Sequence, residues 1–120
     1  MSTRIAAQRW ATTWERAWQE GDIEAIVALY APDAVYRSHP HREPEVGGAR
    51  GFVTRTFAEE SKVECRFSEP VVDGDRASVE WSATYDEVDR SVLLSGVTLL
   101  RFDDEGLVVD HLDYWAELTR

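Results

Sequence analysis

Apolar residues recur at three- and four-residue steps near the start of the chain, which is the period of a helix with one buried face. Ser2 or Thr3 can cap this first helix, and Gly21 ends it. Asp22 can cap a second helix, which the sequence "APD" at positions 31–33 stops. The apolar positions are Ala7, Trp10, Ala11, Trp14, Ala17 and Trp18 in the first helix, and Ile23, Ile26, Val27 and Tyr30 in the second. The pattern predicts a helical hairpin with a Gly-Asp corner.

The next segment predicts one short strand, a loop and a third helix. The strand is "AVYRSHP", which ends at Pro40, and the loop is "HREPEVGG", which contains proline and two glycines. The third helix extends from about Ala49 to Glu60. Its apolar side consists of Phe52, Val53 and Phe57.

The second half of the chain has the composition of β-strands. Four runs, "KVECRFSEPVV", "RASVEWSATY", "SVLLSGVTLLRF" and "LVVDHLDYW", are separated by the short links "DGD", "DEVDR" and "DDEG". Strands joined by such links run antiparallel, because a parallel crossover needs about a dozen residues. Helices followed by a meander predict an α+β fold, in which the helices pack on one face of a curved sheet and leave a pocket.

The last run, "GLVVDHLDYW", ends in a way that is unusual for a buried strand. Regular alternation places one set of side chains on one face, namely Leu107, Val109, His111, Asp113 and Trp115. The other face receives Val108, Asp110, Leu112 and Tyr114. An imidazole and a carboxylate therefore share a face with an indole. Their Cβ atoms are ~7 Å apart on a strand, so they form either an acid/base pair or two groups with separate partners.

Composition and charge narrow the classes of function. The chain has 120 residues, of which 43% are hydrophobic, and its net charge of −10 repels nucleic acids and anionic membranes. The start "MSTRIAAQRW" lacks the apolar core of a signal peptide, and no stretch approaches the ~20 apolar residues of a membrane span. Cys65 is the single cysteine, so an internal disulfide is excluded. We therefore expect one cytoplasmic domain over residues 1–120, with no nucleic-acid or membrane partner.

The order of elements, together with "GDIEAIVALYAPDAVY" and "RFDDEGLVVDHLDYW", resembles the nuclear transport factor 2-like superfamily. The chain is most similar to its ketosteroid-isomerase and SnoaL-like polyketide-cyclase branches, over roughly Arg9 to Glu117. The resemblance implies a cystatin-like cone, with three N-terminal helices packed on a strongly curved, mostly antiparallel sheet around a pocket. It implies less about function, because this scaffold serves isomerases, cyclases, dehydratases, epoxide hydrolases, plain binders and assembly domains.

The groups that the isomerases use can be matched to this chain by the resemblance. Their tyrosine donor corresponds to Trp14, and their protonated aspartate corresponds to Thr98. Their carboxylate base corresponds to Ser38 or to His39, depending on the alignment at Pro40. These replacements cannot act as the carboxylate that shuttles the proton, so steroid isomerisation of the usual kind is not expected.

The same resemblance predicts which residues line the pocket and what chemistry they perform. Asp113 would be the base that takes an acidic C–H proton next to a carbonyl, or that activates a water. His111 and His39 would orient Asp113 or return the proton. The side chains predicted to contact a ligand are Trp14, Trp18, Ser38, Phe57, Trp81, Tyr85, Thr98 and Trp115.

We expect an enzyme without a cofactor that acts on a hydrophobic cyclic or polyketide-like molecule. Trp14, Tyr85 and Thr98 would polarise a carbonyl of that molecule. Two alternatives stay open, namely a pocket that binds a hydrophobic ligand without catalysis, and a structural dimeric domain.

Two further features bear on metals and partners. The segment "HPHREP" contains His39 and His41, but their spacing is unspecific, so we expect no metal. The family resemblance implies a homodimer through the outer face of the sheet, where Glu80, Ser82 and Thr84 would lie.

Overall fold

The computed structural model describes residues 1–119 of the chain, which form helices at the N-terminal side and a single curved sheet. The helices are α1 (Thr3–Glu20), α2 (Ile23–Val27) and α3 (Gly48–Phe57). The strands are β1 (Tyr30–Arg37), β2 (Ser61–Phe67), β3 (Val71–Asp73), β4 (Arg76–Glu87), β5 (Arg90–Phe102) and β6 (Val108–Thr119). None of the helices in these residues is long and apolar enough to cross a membrane.

The first helix begins and ends where the sequence predicts. The side chain of Ser2 accepts a hydrogen bond of 3.2 Å from the N–H of Ile5, and Gly21 ends the helix with a left-handed φ of 71°. The side chain of Asp22 then accepts from the N–H of Ala25 and starts α2. The buried face of α1 consists of Ala6, Ala7, Trp10, Ala11, Trp14, Ala17 and Trp18. One helix face therefore directs three indoles toward the sheet.

The second helix is shorter than predicted, because the chain enters a strand at Tyr30. This residue pairs with Val108 of β6, and regular pairing resumes only at Val35. The irregular stretch between them contains Pro32, which has no N–H to donate to a ladder. The "APD" segment thus lies inside β1, and α2 ends at Val27, before the predicted stop. The prediction that Tyr30 lies on the second helix was wrong.

The sheet has the strand order β1-β6-β5-β4-β2, and β3 also pairs with β4. Only β1 runs parallel to its neighbour β6, while the other pairs of described strands are antiparallel. The run "KVECRFSEPVV" was predicted as one strand, but it divides into β2 and β3, with Pro70 in the break. The predicted α+β cone with a mostly antiparallel sheet is confirmed.

A bulge at the start of β6 changes which side chains point inward. Phe102 pairs with Val108 and Arg101 pairs with Asp110, so Val109 is an extra residue on this strand. Val108 is therefore buried, although the regular alternation placed Val109 on the inner face. The prediction for these two valines was wrong. Beyond the bulge the alternation is as predicted, and the polar side chains of β6 reach the interior.

Gly96 allows two indoles to flank the middle of β5. It pairs with Trp81 on one side and Trp115 on the other. A Cβ atom at this position would lie 2.5 Å from the carbonyl oxygen of Tyr114 and 2.9 Å from each of the two tryptophan side chains. The strands can approach this closely because position 96 carries no side chain.

Replacing Gly96 by alanine is expected to lower the free energy of unfolding by about 1–3 kcal/mol, because a backbone carbonyl cannot move without separating β5 from β6. Urea denaturation measures the change. Ser95→Ala is the matched control on the exposed side of the same strand, and it is expected to change stability by less than about 0.5 kcal/mol. Equal stability of Gly96→Ala and the wild type would show that the sheet does not need the missing side chain.

Candidate active site

A cavity of about 250 Å³ lies between α1, α3 and the inner face of β4, β5 and β6. Ten of the residues that line it carry aromatic rings. They belong to Trp10, Trp14, Trp18, Tyr36, Phe52, Phe57, Phe67, Trp81, Tyr85 and Trp115. The first three lie on one face of α1, because they are spaced by four residues in a helix. Trp81 and Tyr85 lie on one face of β4, because their positions differ by an even number in a strand. Both faces border the cavity.

The eight side chains predicted to contact a ligand all line this cavity, and so do His111 and Asp113. His39 is not among the lining residues. Its Nδ1 accepts a hydrogen bond of 3.2 Å from the N–H of His41, and its ring packs edge-on against Trp115. The placement therefore gives His39 no contact with the cavity, contrary to the prediction that it shares the site.

Asp113 is oriented by its neighbour across the sheet. Thr98 pairs with Asp113 in the β5–β6 ladder, and its O–H donates a hydrogen bond of 2.6 Å to Oδ1. The Thr98 oxygen in turn accepts 2.9 Å from Nε1 of Trp81. Among residues 1–119 no group donates to Oδ2 of Asp113, although the residue is only 7% exposed. One carboxylate oxygen is thus fixed, and the other is left for a ligand.

His111 lies against the same carboxylate oxygen. Its Nε2 is 2.9 Å from Oδ1 of Asp113, and the imidazole is 1% exposed. The N–H direction deviates from the line between the two atoms, so the contact is an oblique electrostatic one and not a directed hydrogen bond. The two residues therefore do form a pair, because side chains two positions apart on one strand lean toward each other.

Tyr30 determines which nitrogen of His111 carries the proton. Its hydroxyl accepts indole N–H groups from Trp10 at 3.0 Å and from Trp14 at 3.2 Å. With both lone pairs occupied, the Tyr30 O–H must donate to Nδ1 of His111, 2.9 Å away. Nδ1 is then an acceptor, and the proton of the neutral imidazole resides on Nε2, the atom that faces Asp113.

Two tyrosines keep this environment neutral. Burial raises the pKa of Tyr30 and of Tyr36 well above the ordinary value, so both hydroxyls remain protonated. The ring of Tyr36 also stacks on the imidazole of His111, with 3.8 Å between the ring centroids. No pattern in the sequence indicates these roles, because Tyr30 fits a helix stripe and Tyr36 fits an ordinary strand.

The groups predicted to polarise a carbonyl are mostly engaged elsewhere. The indole N–H of Trp14 donates to Tyr30, and the hydroxyl of Thr98 donates to Asp113. Neither proton is free for a ligand, which corrects the prediction for both residues. Tyr85 can still donate its hydroxyl proton to a ligand. Burial, and to a smaller extent the nearby carboxylates, raises the pKa of this hydroxyl and keeps it protonated.

The structure also places the two residues between which the sequence left the choice open. Ser38 is buried and lines the cavity. Its hydroxyl donates 2.7 Å to Glu45 and accepts 3.2 Å from Arg42. The backbone carbonyl of Ser38 accepts 2.6 Å from Nε1 of Trp115. These bonds hold the loop after β1 against the cavity, so the polar groups of Ser38 have a structural role.

Glu60 is a lining residue that sequence reasoning missed. It follows α3, where the pair "EE" resembles any exposed helix end. Its Oε1 accepts a hydrogen bond of 2.8 Å from Nε1 of Trp18. Burial raises the pKa of Glu60 to about 7, with smaller contributions from Glu87 and Glu59, while the Trp18 N–H opposes the shift. No group of three or more His, Cys, Asp or Glu within residues 1–119 is arranged to hold a metal ion.

Glu60→Gln is expected to make the protein more stable than the wild type at pH 8, by about 1–3 kcal/mol, and equally stable near pH 4. A carboxyl whose pKa is raised in the folded state loses stability as the pH rises from 4.5 toward about 7, and glutamine removes that loss. Thermal unfolding of both proteins across this range measures the effect. Glu64→Gln, which removes the same charge from an exposed side chain, is the control. A constant difference across the pH range would contradict the raised pKa.

Comparison with solved structures supports the cone fold. A hypothetical protein of Catenulispora acidiphila with a ketosteroid isomerase-like fold, solved with trimethylamine, is 24% identical with a TM-score of 0.74, over 86% of this chain and 82% of that one. The Mycobacterium tuberculosis protein Rv0760c is 17% identical with a TM-score of 0.80, over 100% of both chains. SalBIII, described as an epoxide hydrolase/cyclase-like enzyme in pyran ring formation of salinomycin, is 17% identical with a TM-score of 0.78, over 93% and 91%.

At these identities the likeness to solved structures establishes the fold alone. None of the curated proteins matches the sequence. A family model described as the SnoaL-like domain matches residues 10–111, from Trp10 within α1 to His111 within β6. The chain therefore belongs to the family of SnoaL-like domains.

Proposed function

We propose that the protein is an enzyme without a cofactor, in which the Asp113 carboxylate acts as a general base on a hydrophobic cyclic molecule. The observation that carries this proposal is the orientation of Asp113. Its Oδ1 is held by Thr98 and faces His111, while Oδ2 has no donor in residues 1–119. A carboxylate fixed in this way inside an aromatic cavity needs no rearrangement before it accepts a proton.

The reaction class is removal of an acidic C–H proton next to a carbonyl. The C–H bond breaks, the proton moves to Oδ2 of Asp113, and the electron pair moves into the bond toward the carbonyl, which leaves an enolate oxygen. Tyr85 supplies a neutral O–H that can donate to that oxygen. Return of the proton from Asp113 to another carbon completes an isomerisation. Attack by the enolate carbon on a second carbonyl carbon, whose oxygen takes the electron pair and then the proton from Asp113, completes a cyclisation.

His111 is a positioning residue in this proposal. Its Nδ1 already accepts the Tyr30 proton, and its Nε2 already carries one, so it has no free lone pair with which to act as a base. His111 instead limits the orientations of the Asp113 carboxyl group, because its Nε2 lies 2.9 Å from Oδ1.

The family supports an enzyme, because SalBIII has the same fold and is described as epoxide hydrolase/cyclase-like. A second candidate function, binding of a hydrophobic ligand without catalysis, is supported by the internal engagement of Trp14 and Thr98. Either function takes a small molecule as partner.

The homodimer implied by the family resemblance also remains a proposal. Glu80 and Ser82 are exposed and Thr84 is half-buried, on the face of β4 that points away from the cavity. Pairing of that face with a second copy would leave the cavity accessible.

Replacement of Asp113 by asparagine is expected to slow exchange of the α-protons of a bound cyclic ketone by at least about a hundredfold, because the amide cannot accept the proton. The probe is α-tetralone in D2O, with exchange followed by NMR and binding followed by thermal shift. Asp110→Asn is the matched control, since Asp110 lies on the same strand, pairs with arginines on the outer face and is expected to leave exchange unchanged.

Equal exchange rates in the wild type and Asp113→Asn would contradict the role of Asp113. A ketone that stabilises the wild type without any exchange above the buffer rate would favour the second candidate, the non-catalytic binder.

A further inference from the structure

Several aromatic rings pack against one another at the end of the cavity where Glu60 lies. The ring of Trp18 lies 6.3 Å from that of Tyr85 and 6.0 Å from that of Trp14, measured between centroids. The ring of Phe57 lies 6.3 Å from that of Trp14. Trp18 also donates its N–H to Oε1 of Glu60, which fixes the carboxyl group at the edge of these rings.

At this end of the cavity, no basic side chain acts on the Glu60 carboxyl group. The groups that act electrostatically on Glu60 are Glu87 and Glu59, and both are acidic. Arg90 is neutralised, because it pairs with Glu87 at 2.6 Å and with Glu117 at 2.9 Å.

The other basic side chains in the neighbourhood are also engaged. Lys62 Nζ lies 3.8 Å from a carboxylate oxygen of Asp86. Arg42, at the opposite end of the cavity, lies over the ring of Trp115 at 5.4 Å and donates to Ser38. Among the described residues, no basic side chain is therefore paired with Glu60.

We propose that the Glu60 end of the cavity binds a positively charged amine, protonated or quaternary, whose apolar part extends toward Asp113. This inference rests on the proposed function and names the class of its substrate.

Two independent attractions favour a cation over a neutral group at the Glu60 end of the cavity. Faces of tryptophan and tyrosine rings attract ammonium groups, and the attraction is larger where water is excluded. A partly buried carboxylate without a counter-ion gains further from a cation that brings its own charge. An anionic group would be repelled by the Glu60 carboxylate instead.

Asp113 is a second carboxylate in the same cavity as Glu60. Its side chain is 10% exposed, and its Oδ2 has no donor among residues 1–119 while it lines the same cavity. An amine held at Glu60 leaves this oxygen free to act on the apolar part of the ligand. The two carboxylates therefore have separate tasks, one in binding and one in proton transfer.

Binding of a cation is coupled to ionisation of Glu60. The groups that face its carboxyl are Trp18 from α1, Tyr85 and Glu87 from β4, and Glu59 from its own segment. Since burial raises the pKa of Glu60 to about 7, a ligand with a permanent charge binds the ionised form and must release a proton below that pH. Its affinity is therefore expected to increase from pH 6 to pH 8.

The test compares phenyltrimethylammonium with tert-butylbenzene, which has the same shape without the charge. Dissociation constants are measured by tryptophan fluorescence and by calorimetry for the wild type, Glu60→Gln and the control Glu64→Gln. The cation is expected to bind the wild type roughly tenfold or more tightly than the neutral probe. Glu60→Gln is expected to lose that preference and its pH dependence while it retains the neutral probe, and Glu64→Gln is expected to match the wild type.

Each of the following outcomes would contradict the amine site without contradicting the role of Asp113 in the proposed function. Equal affinity for the two probes would reject the amine and leave a hydrophobic cavity for the Asp113 chemistry. A cation preference that persists in Glu60→Gln would reject Glu60 as its origin. Failure of the wild type to bind either probe would also reject the proposed amine site. The role of Asp113 would still be tested separately by α-proton exchange on the ketone. Circular dichroism verifies that each variant is folded.

Discussion

The Tyr30 hydroxyl accepts two indole N–H groups, and an oxygen with both lone pairs occupied has one remaining option, which is to donate its own proton. That proton goes to Nδ1 of His111, so the imidazole presents N–H, and not a lone pair, to Asp113. From the other side, Trp81 donates to Thr98 and Thr98 donates to the same carboxylate. Oδ1 of Asp113 thus accepts a hydrogen bond from Thr98 and has the electrostatic contact with His111, and Oδ2 is left free toward the cavity.

This arrangement depends on elements that are distant in sequence. The helix period of α1 places Trp10 and Trp14 one turn apart, so both indoles reach the same hydroxyl on β1. The parallel pairing of β1 with β6 brings Tyr30 near His111. Gly96 lets β4, β5 and β6 approach closely enough for two tryptophans to line the wall beside them. Burial of polar groups is tolerated here because nearly every one of them has a partner.

The sequence predicted the helices, the meander and most of the wall, because those features follow from periods of 3.6 and 2 and from caps and turns. It failed where one residue changes the geometry. The extra Val109 reverses the valines at the start of β6, and Pro32, which the sequence predicts as a helix stop, lies in β1. The pairing of His111 with Asp113 could not be decided, since strand spacing leaves both readings open. Glu60 gave no signal, because its burial comes from rings that belong to other elements.

The measurement that tests this account most directly is the protonation pattern of His111, read from the ¹⁵N chemical shifts of its ring at neutral pH. The account predicts a neutral imidazole with the proton on Nε2 in the wild type, since Tyr30 donates to Nδ1. Tyr30→Phe removes that donor and is predicted to give a mixture of the two neutral forms. A wild-type imidazole with its proton on Nδ1, or one unchanged by Tyr30→Phe, would contradict the claim that Tyr30 orients the residues around Asp113.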